Sequence, residues 1–138
     1  MSDKIQRIEY FYTIVPNKTG SGSKVFDVLK AEGVNLIAHI GFPICWGRAQ
    51  LDFVPSDREK FLAATKKAGI KTVGPKTAFF IQGEDRVGAI ADVLAKLKQA
   101  GISITALQAV SSGEGHYGAV LWVKPKYVAK TAQILGLS

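Results

Sequence analysis

The sequence predicts an α+β chain in which the order β-α-β-β-α-β is written twice. Three observations predict it. The chain matches itself at an offset of 68, pairing Phe11 with Phe79, Tyr12 with Phe80, Gly20 with Gly88, Val25 with Val93, Leu29 with Leu97, Gly33 with Gly101 and Leu36 with Ile104. Each copy runs from a β-branched, aromatic segment through a glycine-bearing turn into an apolar stripe at helical spacing. Each stripe stops at a glycine, a residue suited to the left-handed helix exit. Past the second loop the offset becomes 70, as if two residues were inserted there, so that Ala49, Leu51, Phe53 and Pro55 match Ala119, Leu121, Val123 and Pro125.

In the first copy, IEYFYTIV (8–15) reads as a strand buried on both faces, bounded by Pro16 and Asn17. NKTGSGS is turn chemistry. Val25, Phe26, Val28 and Leu29 form the helical stripe, core on all counts, ending at Gly33. VNLIAHI (34–40) is a strand and GFPICWG a loop. RAQLDFV (48–54) alternates Ala49, Leu51 and Phe53 with Arg48, Gln50 and Asp52, the pattern of a half-exposed strand. Ser56 precedes Glu59 by three residues, a capping box that starts a helix with Phe61, Leu62 and Thr65 inward. IKTV is a short closing strand before Gly74 and Pro75.

The second copy follows the same order. TAFFIQ (77–82) is a strand, GEDRVG a turn, and Ile90, Val93, Leu94 and Leu97 a stripe ending at Gly101, with Asp92 and Lys96 as an i,i+4 pair on the wet side. ISITALQAV (102–110) and YGAVLWVK (117–124) are strands around the loop SSGEGH, and KYVAKTAQIL is a helix. The chain then ends at LGLS, where a fourth strand is due. The expected repeats are 1–74 and 75–138, the second with its fourth strand short or missing; KIQRIE is a candidate to fill that place. A β-α-β-β-α-β unit folds as a four-stranded antiparallel sheet with both helices on one face, the ferredoxin-like arrangement. Units of this size are marginal alone, so the two are expected side by side.

At 138 residues, 47% hydrophobic and 21% charged, the composition is globular. Net charge is +7, which favours an anionic partner, but the lysines are scattered and read as solvated helix faces. One cysteine, Cys45, permits no internal disulfide. There is no signal-peptide core and no apolar run of membrane-spanning length, so a soluble, cytoplasmic protein without membrane contact is expected. His39 and His116 lack partners at metal-ligand spacing, and neither metal nor cofactor is expected. His39 reads as a strand residue hydrogen-bonded to a neighbour. No nucleophile motif or paired-carboxylate pattern is present, so no catalytic residue is assigned.

The informative feature is the repeated helix entrance. Unpaired amides and the helix dipole at such a point favour a carboxylate or phosphate, and glycine lets a ligand approach. Copy one offers Asn17, Lys18, Thr19, Gly20, Ser21 and Gly22; copy two offers Asp85, Arg86, Val87, Gly88 and Ala89. Loop amides suit the carboxylate of an amino acid, and Asp85, Asn17 or strand-edge carbonyls its ammonium. The alternative is RNA binding on the same topology, with Tyr117 and Trp122 as stacking aromatics; a further one is a ligand-free interaction module.

EDRVGAIADVLAKLKQAGISITAL resembles the ACT domain signature, and the resemblance covers nearly the whole chain as two tandem copies. It implies non-enzymatic, regulatory binding of a small molecule, most often an amino acid, between paired repeats. By position it implies one site of Asn17 to Gly22 with Ile102 to Thr105, including Ser103 and Ile104, and another of Asp85 to Ala89 with Val34 to Ala38, including Asn35, Leu36 and Ile37. Val87 stands where the family often has proline, and Asn17-Lys18-Thr19 replaces an acidic start. The implied partners are a regulated enzyme or transcription factor and a second copy of the chain; nucleic acid is not expected.

Overall fold

The computed structural model describes residues 3–137; Met1, Ser2 and Ser138 lie outside the described residues. The protein is α+β, with strands β1 (Lys4–Pro16), β2 (Leu36–Ile44), β3 (Arg48–Pro55), β4 (Val73–Glu84), β5 (Ile104–Gly113) and β6 (His116–Val123). The helices are α1 (Ser21–Ala31), α2 (Arg58–Lys67), α3 (Ala89–Gln99) and α4 (Val128–Ile134), the last preceded by a 3₁₀ turn at Pro125–Tyr127. The chain divides into two compact units, residues 9–76 and residues 3–8 with 77–137.

In the 9–76 unit the strand order is β2-β3-β1, with the start of β4 beyond β1. Phe11 opposes Phe53 across the β1–β3 ladder, and His39 opposes Phe53 across β2–β3. Phe11, Val25, Leu29, Leu51, Phe53, Phe61 and Ala64 make one core, which puts α1 and α2 on the same face of the sheet. Phe61 stacks on Phe11 with ring centres 5.1 Å apart. In the other unit the order is β5-β6-β4, with residues 4–8 of β1 beyond β4. Its core is Phe79, Ile81, Val93, Leu97, Ile102, Tyr117, Ala119, Leu121, Val123 and Ala132, and Ile5 packs against it. Residues 4–8 of the KIQRIE segment therefore stand beside β4, where a fourth strand of this unit was due.

Several local expectations change. The two hairpin loops are tighter than the sequence indicates, because Trp46 and Glu114 adopt φ of 65° and 56° ahead of Gly47 and Gly115, and β2 and β5 run on to Ile44 and Gly113. The offset of 68 also persists through the third strand: Phe53 pairs with Phe11 as Leu121 pairs with Phe79. The expected two-residue insertion at the second loop is therefore absent. The α2 cap is Asp57, whose carboxylate accepts from the Lys60 amide at 3.1 Å, while the Ser56 hydroxyl donates to the Asn35 carbonyl, also at 3.1 Å. Asp92 contacts Arg86 at 3.4 Å, which replaces the expected Asp92–Lys96 partnership. Phe26 is half-exposed at the rim of its core, edge-on to His39 at 4.6 Å. β3 is half-exposed only in its first half: Arg48 is exposed and Gln50 partly so, whereas Asp52 and Val54 are 6% and 2% accessible, so the polar-facing side is buried from Asp52 on. Gln50 Nε2 supplies Asp52 with a hydrogen bond at 2.8 Å, and burial raises the Asp52 carboxyl above its ordinary range.

Candidate functional site

Each predicted site residue falls in the unit that carries its copy. The clearest constellation is the entrance to α3. Gly88 caps this helix at φ 80° and ψ 11°, and no side chain accepts from its first turn. The start of the loop is pinned by the Asp85 amide donating to the Gly115 carbonyl at 2.9 Å. That bond draws the Glu114-Gly115 turn toward the helix and brings the end of β5 alongside. The result is a depression of about 300 Å³ lined by Asp85, Arg86, Gly88 to Ala91, Ala109 to Ser111 and Tyr117.

Its polar groups are arranged by chemistry that can be followed atom by atom. Ser111 Oγ donates to Asp85 Oδ2 at 2.9 Å, which fixes the carboxylate, and among the described residues no donor engages Oδ1. Arg86 donates through Nη1 to Asp3 Oδ1 at 3.1 Å and through Nη2 to Asp92 Oδ2 at 3.4 Å. Tyr117 is 7% exposed and its hydroxyl has no hydrogen-bond partner among the described residues. Burial, and then the adjacent Asp3 carboxylate, push that hydroxyl up to about 12. A helix start without a side-chain cap and an exposed acid together offer donors for an anion and an acceptor for a cation. Val87, by contrast, is fully exposed and lines nothing.

Ser103 and Ile104 lie at the other end of α3. With Ala91, Leu94, Ala95, Lys98, Gly101 and Ile102 they line a shallow groove of about 690 Å³ along the helix. Ala91 belongs to both depressions, so predicted residues from the two ends of α3 border one continuous flank.

The α1 entrance repeats the backbone device. Gly20 caps α1 at φ 90° and ψ −14°, again with no side-chain hydrogen bond, and the Asn17 amide donates to the Gly47 carbonyl at 2.8 Å. Its side chains differ: α1 has no acid in its first turn, and Asn17 and Lys18 stand where the other copy has Asp85 and Arg86. Gly22 is helical rather than part of the turn. Asn35, Leu36 and Ile37 sit past the exit of α1, and the Asn35 carbonyl accepts from the Ser56 amide at 3.0 Å. Within the 9–76 unit they are a helix length of about 16 Å from Asn17 to Gly22. His39 is hydrogen-bonded as expected, its Nδ1 lying 2.9 Å from the Asp52 carbonyl. Tyr117 and Trp122, the candidate stacking aromatics, are both buried.

Ser111, Val110 and Tyr117 had not been assigned to the site from sequence. The signal lay in SSGEGH: a tight Glu114-Gly115 turn sets the register that puts Ser111 opposite Tyr117.

No family model matches the chain, and no curated protein matches it. Solved structures do. A Bacteroides thetaiotaomicron protein superposes with a TM-score of 0.81 at 21% identity, over 95% of this chain and 88% of that one. The ligand-free regulatory subunit of aspartate kinase from Thermus thermophilus gives 0.66 at 16% identity, over 98% and 95%. The corresponding subunit from Thermus flavus gives 0.64 at 16%, over 97% and 93%. At these identities the likeness is one of fold, and the fold is ACT-like.

Proposed function

We propose that this protein is a non-enzymatic regulatory protein that binds a free amino acid at the entrance to α3. The observation that carries the reading is the meeting of an uncapped helix start with the Asp85 carboxylate in one depression of about 300 Å³. The Ala89 amide is already donated to the Arg86 carbonyl at 3.3 Å, so the ligand carboxylate lies against the amides of Gly88, Ile90 and Ala91, where the helix dipole favours it. The ammonium lies against Asp85 Oδ1, and Ala109 and Val110 face the side chain. The ACT-like fold shared with regulatory subunits of aspartate kinase supports a regulatory role, and it points to an enzyme as the partner that reads the bound state.

A thermal-shift screen of the twenty amino acids tests this. A ligand at a hundred times its Kd stabilises the folded form by about 2.7 kcal/mol. One amino acid, or a small chemical group of them, is expected to raise the midpoint. A flat response across all twenty overturns the reading.

A further inference from the structure

Arg86 points its guanidinium beside the α3 entrance, yet it is already engaged by a carboxylate from the first described residue. The pair is well set in. Asp3 Oδ1 is 3.1 Å from Arg86 Nη1, and the Asp3 side chain is 9% exposed against 34% for Arg86. The neighbouring strand makes room for it: a methyl group on Gly83 would collide with Asp3 Oδ1, so β4 keeps a bare backbone where that carboxylate lies. Asp92 occupies the other Arg86 nitrogen at 3.4 Å and is itself largely exposed. Two acids against one guanidinium leave no free positive charge at the entrance to strengthen the hold of the helix amides on an incoming carboxylate.

We propose that Asp3 is a built-in competitor for Arg86: an anionic ligand at the α3 entrance takes the guanidinium, Asp3 leaves, and residues 3–8 loosen from this unit. The proposal rests on the amino-acid reading above and adds its regulation. It makes docking of the first strand the element that ligand binding biases, because residues 4–8 lie beyond β4 and are held at their outer end by this contact. The exchange is cheap. One partly exposed ion pair is replaced by another, so neither state is locked.

The test compares the wild type with Asp3→Asn, using each of the twenty amino acids as probe and hydrogen exchange at residues 4–8 as a second readout. Circular dichroism and the unliganded melting midpoint confirm that the variant folds. Asp3→Asn is expected to bind the same amino acid about three- to fivefold more tightly, the value of one partly exposed ion pair. In the wild type the ligand is expected to speed exchange at residues 4–8. Gly83→Ala, which expels the Asp3 carboxylate without changing any charge, should tighten binding in the same direction. Binding to Asp3→Asn that is equal or weaker, or ligand that leaves exchange at residues 4–8 unchanged or slower, overturns the competitor and leaves amino-acid binding standing. Absence of binding to the wild type overturns the underlying amino-acid reading, and the competitor with it, whatever Asp3→Asn does.

Discussion

Gly88 isolates what backbone conformation contributes to the α3 entrance. It holds φ 80° at the helix cap, and a Cβ placed there meets nothing within 4 Å. Substitution therefore adds no clash, and the whole cost is conformational. An L-residue in the left-handed region costs about 1–2 kcal/mol, with asparagine at the low end and β-branched valine at the high end. For a chain of this length about 1 kcal/mol moves the melting midpoint by about 3–4 °C. The expected order of stability is wild type, Gly88→Asn, Gly88→Ala, Gly88→Val, spanning about 3–8 °C. The valine variant relieves its strain by leaving the left-handed region, which turns the first-turn amides away. Its amino-acid-induced shift should accordingly fall further than its stability does. Calorimetric melting with and without ligand reads both quantities. A valine variant as stable as wild type, or one that keeps the full ligand shift, refutes the assignment of Gly88 as a conformational requirement of the site. Gly74→Ala is the contrast: its Cβ would lie 2.7 Å from Phe11 Cδ2 and 2.8 Å from the Tyr10 carbonyl, so its loss must exceed that of Gly88→Ala.

Three further outcomes follow from the same geometry. Tyr117 is held at about 12 against an ordinary 10.0, so its protonated form stabilises the fold fully below pH 10, and that stability is lost as pH rises toward 12; Tyr117→Phe should flatten urea midpoints across that window and cost little at pH 7. Asp57→Ala should cost about 1 kcal/mol in chemical denaturation and Ser56→Ala clearly less, because the carboxylate of Asp57 and not the hydroxyl of Ser56 caps α2. Burial raises the Asp52 carboxyl, so its neutral form suits the fold and stability is lost as pH rises through the folded value. Asp52→Asn should therefore raise the melting midpoint at pH 7, with the difference shrinking as pH falls toward the ordinary value of 3.8.

Element type and order were legible because the apolar stripes of α1 and α3 and the runs of β1 and β4 carry strong periodicity over many residues. The glycines at 20 and 88 were legible for the same reason: each sits between a strand pattern and a helix pattern, where only a left-handed turn fits. What escaped was set by distant partners. The polar alternation of β3 promised a wet face, but Asp52 is buried on the side away from α1 and α2, and no local pattern marks that. Ser56 and Asp57 compete for one helix start, and the Asn35 carbonyl, twenty-one residues earlier, decides it by engaging Ser56. The β5 contribution to the depression depended on hairpin register, which a turn residue such as Glu114 at positive φ controls without advertising it.

The two helix entrances share a backbone and differ in the chemistry needed for a zwitterion. Amides alone satisfy a carboxylate, and both entrances present uncapped amides. An ammonium needs an acceptor, preferably charged, and only the α3 entrance carries one, Asp85 held by Ser111. The corresponding Asn17 offers an amide carbonyl beside Lys18, which repels a second cation. Calorimetric titration should thus find one amino acid bound per chain. Asp85→Asn should weaken it by about tenfold to a hundredfold, the worth of a hydrogen bond to a charged group, whereas Asn17→Ala should leave it within about twofold. A stoichiometry of two, or equal losses from the two substitutions, would show that the shared backbone governs recognition and that the carboxylate of Asp85 does not.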